Sequence, residues 1–144
     1  MGYIVNFRYT GAEKFLRTAG ECYMKILIVD DNKNLLDSLK RILEHHHHEV
    51  DCSDNAKQAV KMVEKGDYQF VLVDYKMPKN DGIWFMKNVT LPRQTKVLLI
   101  TAYVNRAVID KMFELGACGY LIKPFDDQEL LRHMAFYANP KPSS

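Results

Sequence analysis

Residues 69–74 read Gln-Phe-Val-Leu-Val-Asp, four apolar side chains in succession closed by an acid. A strand with one face in water alternates apolar and polar residues. An unbroken apolar run therefore marks a strand covered on both faces, as in a parallel sheet. Upstream, Lys25–Asp30 (Lys-Ile-Leu-Ile-Val-Asp) repeats the pattern down to its terminal acid. Downstream, Lys96–Thr101 (Lys-Val-Leu-Leu-Ile-Thr) repeats it with a threonine in the last place. Weaker strand signals at Glu49–Ser53 and Tyr120–Lys123 bring the strands to five.

Between these runs the apolar period changes from strand to helix. Asn32 is an N-cap candidate, followed by Leu35, Leu36, Leu39, Ile42 and Leu43 on one helical face. A second helix runs from about Asn55 to Lys65, with Ala56, Ala59, Val60 and Val63 inward and Gly66 as its stop. Met77-Pro78-Lys79-Asn80-Asp81-Gly82 is a loop of turn formers before a short helix over Ile83–Val89. A fourth helix spans Asn105–Leu115 and closes at Gly116. After Pro124, Asp126 or Asp127 caps a last helix with Leu130, Leu131 and Met134 inward. Strands alternating with helices imply an α/β fold with helices on both faces of a parallel sheet. Right-handed crossovers then favour a flavodoxin-like (βα)5 three-layer sandwich with strand order 2-1-3-4-5.

At 144 residues the chain suits one domain. Its 47% hydrophobic and 26% charged residues, with a formal net charge of +2, give no reason to invoke direct nucleic-acid or membrane binding. No apolar run reaches the roughly 18–20 residues needed to span a bilayer, and the start lacks a signal-peptide pattern. Cys22, Cys52 and Cys118 are odd in number and form no CxxC, so they read as reduced, packed thiols of a cytoplasmic protein. Residues 1–23 match nothing this fold needs. They read as an N-terminal extension or a vector-derived segment, in which Ala12, Phe15, Leu16 and Ala19 would line a short helix, and Met24 is a natural start. The domain is expected over residues 24–138, and residues 139–144 form a tail or the start of a linker.

The strand ends carry the chemistry. In open α/β sheets the binding crevice lies beyond the carboxyl ends of the strands, where strand order reverses. Asp30 and Asp31 end the first strand and Asp74 the third, so their carboxylates converge there. Packed carboxylates raise one another's pKa unless a cation sits among them, and oxygen ligands of this kind suit Mg²⁺. A surface N-cap role is the plainer reading for Asp31 alone, but it does not account for all three. Thr101 and Lys123 end the fourth and fifth strands. Each alone would be an ordinary solvated residue. Together a hydroxyl, an ammonium and a metal neutralise the charge of a transferring phosphoryl group. Asp74 then serves as the nucleophile and forms an acyl phosphate, while the adjacent Asp30 and Asp31 hold the metal.

Asp74-Tyr75-Lys76-Met77-Pro78-Lys79-Asn80-Asp81-Gly82 resembles the D-x-x-M-P-x-x-D-G stretch around the phosphorylated aspartate of receiver domains in two-component signalling. Val29-Asp30-Asp31-Asn32, Thr101-Ala102 and Lys123-Pro124-Phe125 follow the same family's order, and the resemblance covers about Met24 to Ala138. It implies a cytoplasmic response regulator receiver of a phosphorelay, a phosphoprotein that takes phosphate on Asp74 from a sensor histidine kinase. The switch would control an effector protein or a C-terminal output domain. It would be no enzyme in the ordinary sense, though it phosphorylates itself with Mg²⁺ and slowly dephosphorylates. The resemblance further implies that Asp31, Asp74 and the backbone carbonyl of Lys76 bind Mg²⁺, with Asp30 acting through a water. Thr101 and Lys123 would contact the phosphoryl group, Lys123-Pro124 would be a cis peptide, and Tyr120 would be the switch aromatic beside Thr101. Plain packing is the simpler role for Tyr120. A homodimer through the fourth helix, fifth strand and fifth helix is a further implication.

Two features depart from the family pattern. Lys76 and Tyr103, two residues beyond Asp74 and Thr101, offer no acid or amide to orient an attacking water, which implies a long-lived acyl phosphate. His45-His46-His47-His48 belongs to no family motif, and consecutive histidines point in different directions. A solvated loop or an inserted segment is the simpler reading, against a transition-metal site. The competing function is an Mg-dependent phosphohydrolase of the haloacid-dehalogenase type with an aspartate nucleophile. Such an enzyme needs a second aspartate two residues after a first-strand nucleophile, and position 32 is Asn. Flavin binding on the same topology needs a hydroxyl- and glycine-rich loop where Asp31-Asn32-Lys33-Asn34 stands.

Overall fold

The computed structural model describes residues 24–138 and two short segments before them, 4–6 and 16–18. The segments are strands β1 (Ile4–Asn6) and β2 (Leu16–Thr18), paired antiparallel as a separate two-stranded sheet. The short helix expected from apolar spacing is therefore wrong at Leu16, while Ala12, Phe15 and Ala19 lie outside the described residues. Thr18 pairs with Ile4, Arg17 with Val5 and Leu16 with Asn6, and the β-branched residue types Ile, Val and Thr favour extended backbone. Cys22 and residues 139–144 also lie outside the described residues.

The main sheet contains β3 (Lys25–Val29), β4 (Glu49–Ser53), β5 (Phe70–Val73), β6 (Lys96–Thr101) and β7 (Gly119–Ile122), all parallel. Their spatial order is β4-β3-β5-β6-β7, which is 2-1-3-4-5 counted within this sheet. The helices are α1 (Lys33–His45), α2 (Ala56–Lys65), α3 (Gly82–Asn88), α4 (Arg106–Glu114) and α5 (Asp127–Ala138). Alternation along the buried strands divides the core in two. Leu27, Val29, Val71, Val73, Val97 and Leu99 pack under α2, α3 and α4, whereas Ile26, Ile28, Phe70, Leu72, Leu98 and Ile100 pack under α1 and α5. That is the three-layer sandwich.

Asx side chains start every one of these five helices. Asn32, Asn55, Asp81, Asn105 and Asp126 each accept from the backbone N–H three residues on, at 2.8–3.1 Å. Asp126 and Glu129 cap reciprocally, which settles the choice between Asp126 and Asp127. Gly116 turns the chain after α4 with φ +118°, a region that favours glycine. The histidine run closes α1 and leads into β4. His45–His47 are exposed, and His48 Nδ1 accepts from Met24 N–H at 3.2 Å. His46 and His47 form the exposed turn between α1 and β4, as the solvated-loop reading expects, and among the described residues the run belongs to no cluster of three or more ligating side chains.

Candidate functional site

The sheet delivers its functional side chains by register. Val29 of β3 lies beside Val73 of β5, so Asp30 and Asp74 leave the sheet side by side; Thr101 ends β6 and Lys123 follows β7. Asp30 and Asp74 donate backbone N–H bonds to Ser53 O and Val29 O at 3.1 and 2.9 Å, which fixes both main chains. Asp30, Asp31 and Asp74 each offer a carboxylate oxygen within 4.8 Å of the others, the only such cluster among the described residues. Asp30 and Asp74 are buried, at 0% and 5% exposure, and Asp31 is exposed.

Lys123 reaches across this cluster. Its Nζ lies 2.6 Å from Asp30 Oδ2 and 3.4 Å from Asp74 Oδ2. Asp30 Oδ1 accepts from Asn32 N–H at 2.9 Å, so both Asp30 oxygens have partners from this chain. Burial pushes the Asp74 carboxyl above the ordinary aspartate value, and the neighbouring Asp30 charge adds to this. Lys123 and the Thr101 hydroxyl pull in the opposite direction without cancelling the rise. One ammonium against three carboxylates leaves the cluster short of positive charge. An all-oxygen donor set with that deficit fits a hard divalent cation.

The loop after β5 is shaped by glycine. A Cβ at Gly82 would lie 2.8 Å from Asp74 O and 3.0 Å from Tyr75 Cα, so only glycine lets α3 start against the Asp74 backbone. Gly82 N–H donates to Tyr75 O at 2.8 Å, and Lys79 adopts φ +72° to complete the turn. Lys76 is exposed, with its ammonium 4.8 Å from the centre of the Tyr103 ring. Lys123-Pro124 is cis, as expected. Tyr120 is 39% exposed, with its ring edge-on to Phe113 of α4 at 6.1 Å. The structure thus brings Asp30, Asp31, Asp74, Thr101 and Lys123 together and leaves Tyr120 one strand away on the outer edge. Sequence reasoning missed Tyr75, whose ring stacks on Tyr103. Nothing in an aromatic following a strand end announces its partner.

Comparison with known proteins agrees with this geometry. A sequence model described as the response regulator receiver domain matches residues 26–135. The chemotaxis protein CheY-3 of Vibrio cholerae is 37% identical over 106 residues, covering 71% of this chain and 82% of its own. The transcriptional regulatory protein CrdR of Helicobacter pylori is 32% identical over 120 residues, 82% of this chain. This chain spans only 56% of the length of CrdR. Among solved structures, a CheY-like receiver domain protein from Methanospirillum hungatei superposes with a TM-score of 0.78 at 28% identity, covering 82% of this chain and 95% of its own.

Proposed function

This chain belongs to the response regulator receiver domain family, and from that membership we propose that Asp74 is its phosphoacceptor. Receiver domains are signalling switches rather than classical enzymes, and accepting a phosphoryl group and switching is their typical function. In the proposed reaction a carboxylate oxygen of Asp74 forms a bond to phosphorus while the bond to the donor histidine nitrogen of a sensor kinase breaks. The imidazole leaves with the electron pair. Mg²⁺ bound by Asp31, Asp74 and the Lys76 carbonyl, with Asp30 behind a water, would offset the charge on the phosphoryl oxygens. The two partners already engaging Asp30 support its indirect role. Lys123, already 3.4 Å from Asp74, holds a phosphoryl oxygen.

Switching starts at Thr101. Its hydroxyl, which favours the charged form of Asp74, turns to a phosphoryl oxygen, and the loop before α4 follows because Tyr103 N–H donates to Thr101 Oγ1 at 3.0 Å. Tyr120 then turns inward, which alters the face of α4, β7 and α5 for an effector protein, an output domain or a second copy. The proposed receiver spans residues 24–138, with an extension before it and a tail or linker start at 139–144. We place the protein in the cytoplasm, without direct nucleic-acid contact. No helix among the described residues is long and apolar enough to cross a membrane.

The observation that carries this reading is the convergence of three carboxylates, within 4.8 Å, under one lysine. A phosphohydrolase is not favoured, because position 32 lacks the required acid. The test is incubation with acetyl phosphate and Mg²⁺. Stoichiometric label on Asp74, absent in Asp74→Asn and without turnover of phosphate esters, is expected. A protein that stays unlabelled overturns the reading.

A further inference from the structure

Tyr75, Lys76 and Tyr103, on the loops that follow Asp74 and Thr101, are in contact with one another. The rings of Tyr75 and Tyr103 stack with centroids 5.3 Å apart and planes 23° from parallel, and the Lys76 ammonium lies against the Tyr103 ring. Stacked aromatics and a cation on a ring face are both attractive. Tyr103 is held at two further points, its N–H on Thr101 Oγ1 at 3.0 Å and its hydroxyl accepting from Asn105 Nδ2 at 3.4 Å. Tyr75 is half-buried and directly follows Asp74, on the loop that leads into α3. The stack on Tyr103 therefore joins the loop after β5 to the loop after β6.

We propose that Tyr75 is a positioning residue for the acyl phosphate, acting through Tyr103 to keep the rim above Asp74 closed to hydrolytic water. The proposal rests on Asp74 being the phosphoacceptor. In hydrolysis a water oxygen bonds to phosphorus while the bond to the Asp74 oxygen breaks. The carboxylate is restored, inorganic phosphate leaves, and the proton lost by the water passes to phosphate or to solvent. The entering water needs a position opposite the leaving oxygen. Tyr103 held at the rim narrows that approach, and the Lys76 ammonium, which has three donors and no acceptor, cannot take the proton of an entering water. Without Tyr75, Tyr103 keeps its backbone tether but loses the stack that fixes its ring.

The test is the rate at which the full chain, labelled with acetyl phosphate and Mg²⁺, loses label after the donor is removed. Tyr75→Ala is expected to lose it several-fold faster, and Tyr75→Phe, which keeps the stack, to stay within about twofold of wild type. In a Tyr103→Ala background, Tyr75→Ala is expected to add no further acceleration. Tyr75→Leu, which fills the space without an aromatic face, should behave like the alanine variant and serves if that variant does not fold. Equal lifetimes for wild type and Tyr75→Leu, or the same acceleration with and without Tyr103, overturn the proposal. Wild type that never takes label overturns the phosphoacceptor reading instead.

Discussion

At the scale of single residues, Asp74 is held in a state that costs the resting fold stability. Burial raises its pKa in the folded protein, so the folded state holds this proton more tightly than the unfolded chain does. Its contribution is fully present below the ordinary aspartate pKa and is lost as pH rises through the folded value. Asp74→Asn should therefore unfold at higher denaturant concentration than wild type at pH 7 without Mg²⁺. The difference should shrink as pH falls below the ordinary aspartate range and shrink again on adding Mg²⁺. Urea melts at several pH values check this, and a variant less stable than wild type at pH 7 would contradict it. The candidate residues Asp30, Asp31, Asp74, Thr101 and Lys123 were legible because each ends or follows an apolar run. Tyr75 was not, since its significance lies in a ring on another loop.

Elements are delimited here by caps, and caps are local chemistry. Asn32 was legible as a cap, and Asp126 as one of two candidates, because an Asx residue stood before an amphipathic period; Asn55 and Asn105, read as the first residues of their helices, are the caps of α2 and α4. The third helix begins at Gly82 rather than Ile83 and the last strand at Gly119 rather than Tyr120. Both shifts occur at glycines, where propensity argues for a break and tertiary contact decides otherwise. Gly82 must pack on the Asp74 backbone. Gly82→Ala should lower stability by about 1–3 kcal/mol, the usual range for overpacking a tight site, and should slow labelling of Asp74 because the strain falls on that main chain. Thermal melts and acetyl phosphate kinetics check the two effects, and a variant matching wild type in both would show that the loop can shift freely. The sequence reading failed at Leu16–Thr18, where three apolar spacings suggested a helix and strand pairing formed instead.

For the whole molecule, two half-cores clamp a sheet whose carboxyl edge gathers uncompensated negative charge. A cation that binds only the folded arrangement must stabilise it by mass action, about 2.7 kcal/mol at a hundred times its Kd. Mg²⁺ should therefore raise the midpoint of denaturation of wild type, and do so less for Asp31→Asn at equal concentration, since that variant keeps the buried pair but loses one ligand. An equal shift in both would place the cation elsewhere. Lys123 reaches Asp30 across 93 residues of sequence. The site exists only when the last strand is docked against the edge of the sheet.

What the sequence by itself determined is the order of elements, the buried character of the strands and the residue types at their ends, because periodicity and capping depend on near neighbours. The tertiary structure alone decided which oxygen of Asp30 faces Lys123 and which faces Asn32, how Gly82 meets the Asp74 main chain, and that Tyr75 leans on Tyr103. The Asp30–Lys123 and Tyr75–Tyr103 contacts join separate segments of the chain, whereas the Asn32 and Gly82 contacts lie within single loops. Their geometry follows from strand register and loop shape, which no local pattern of side chains encodes.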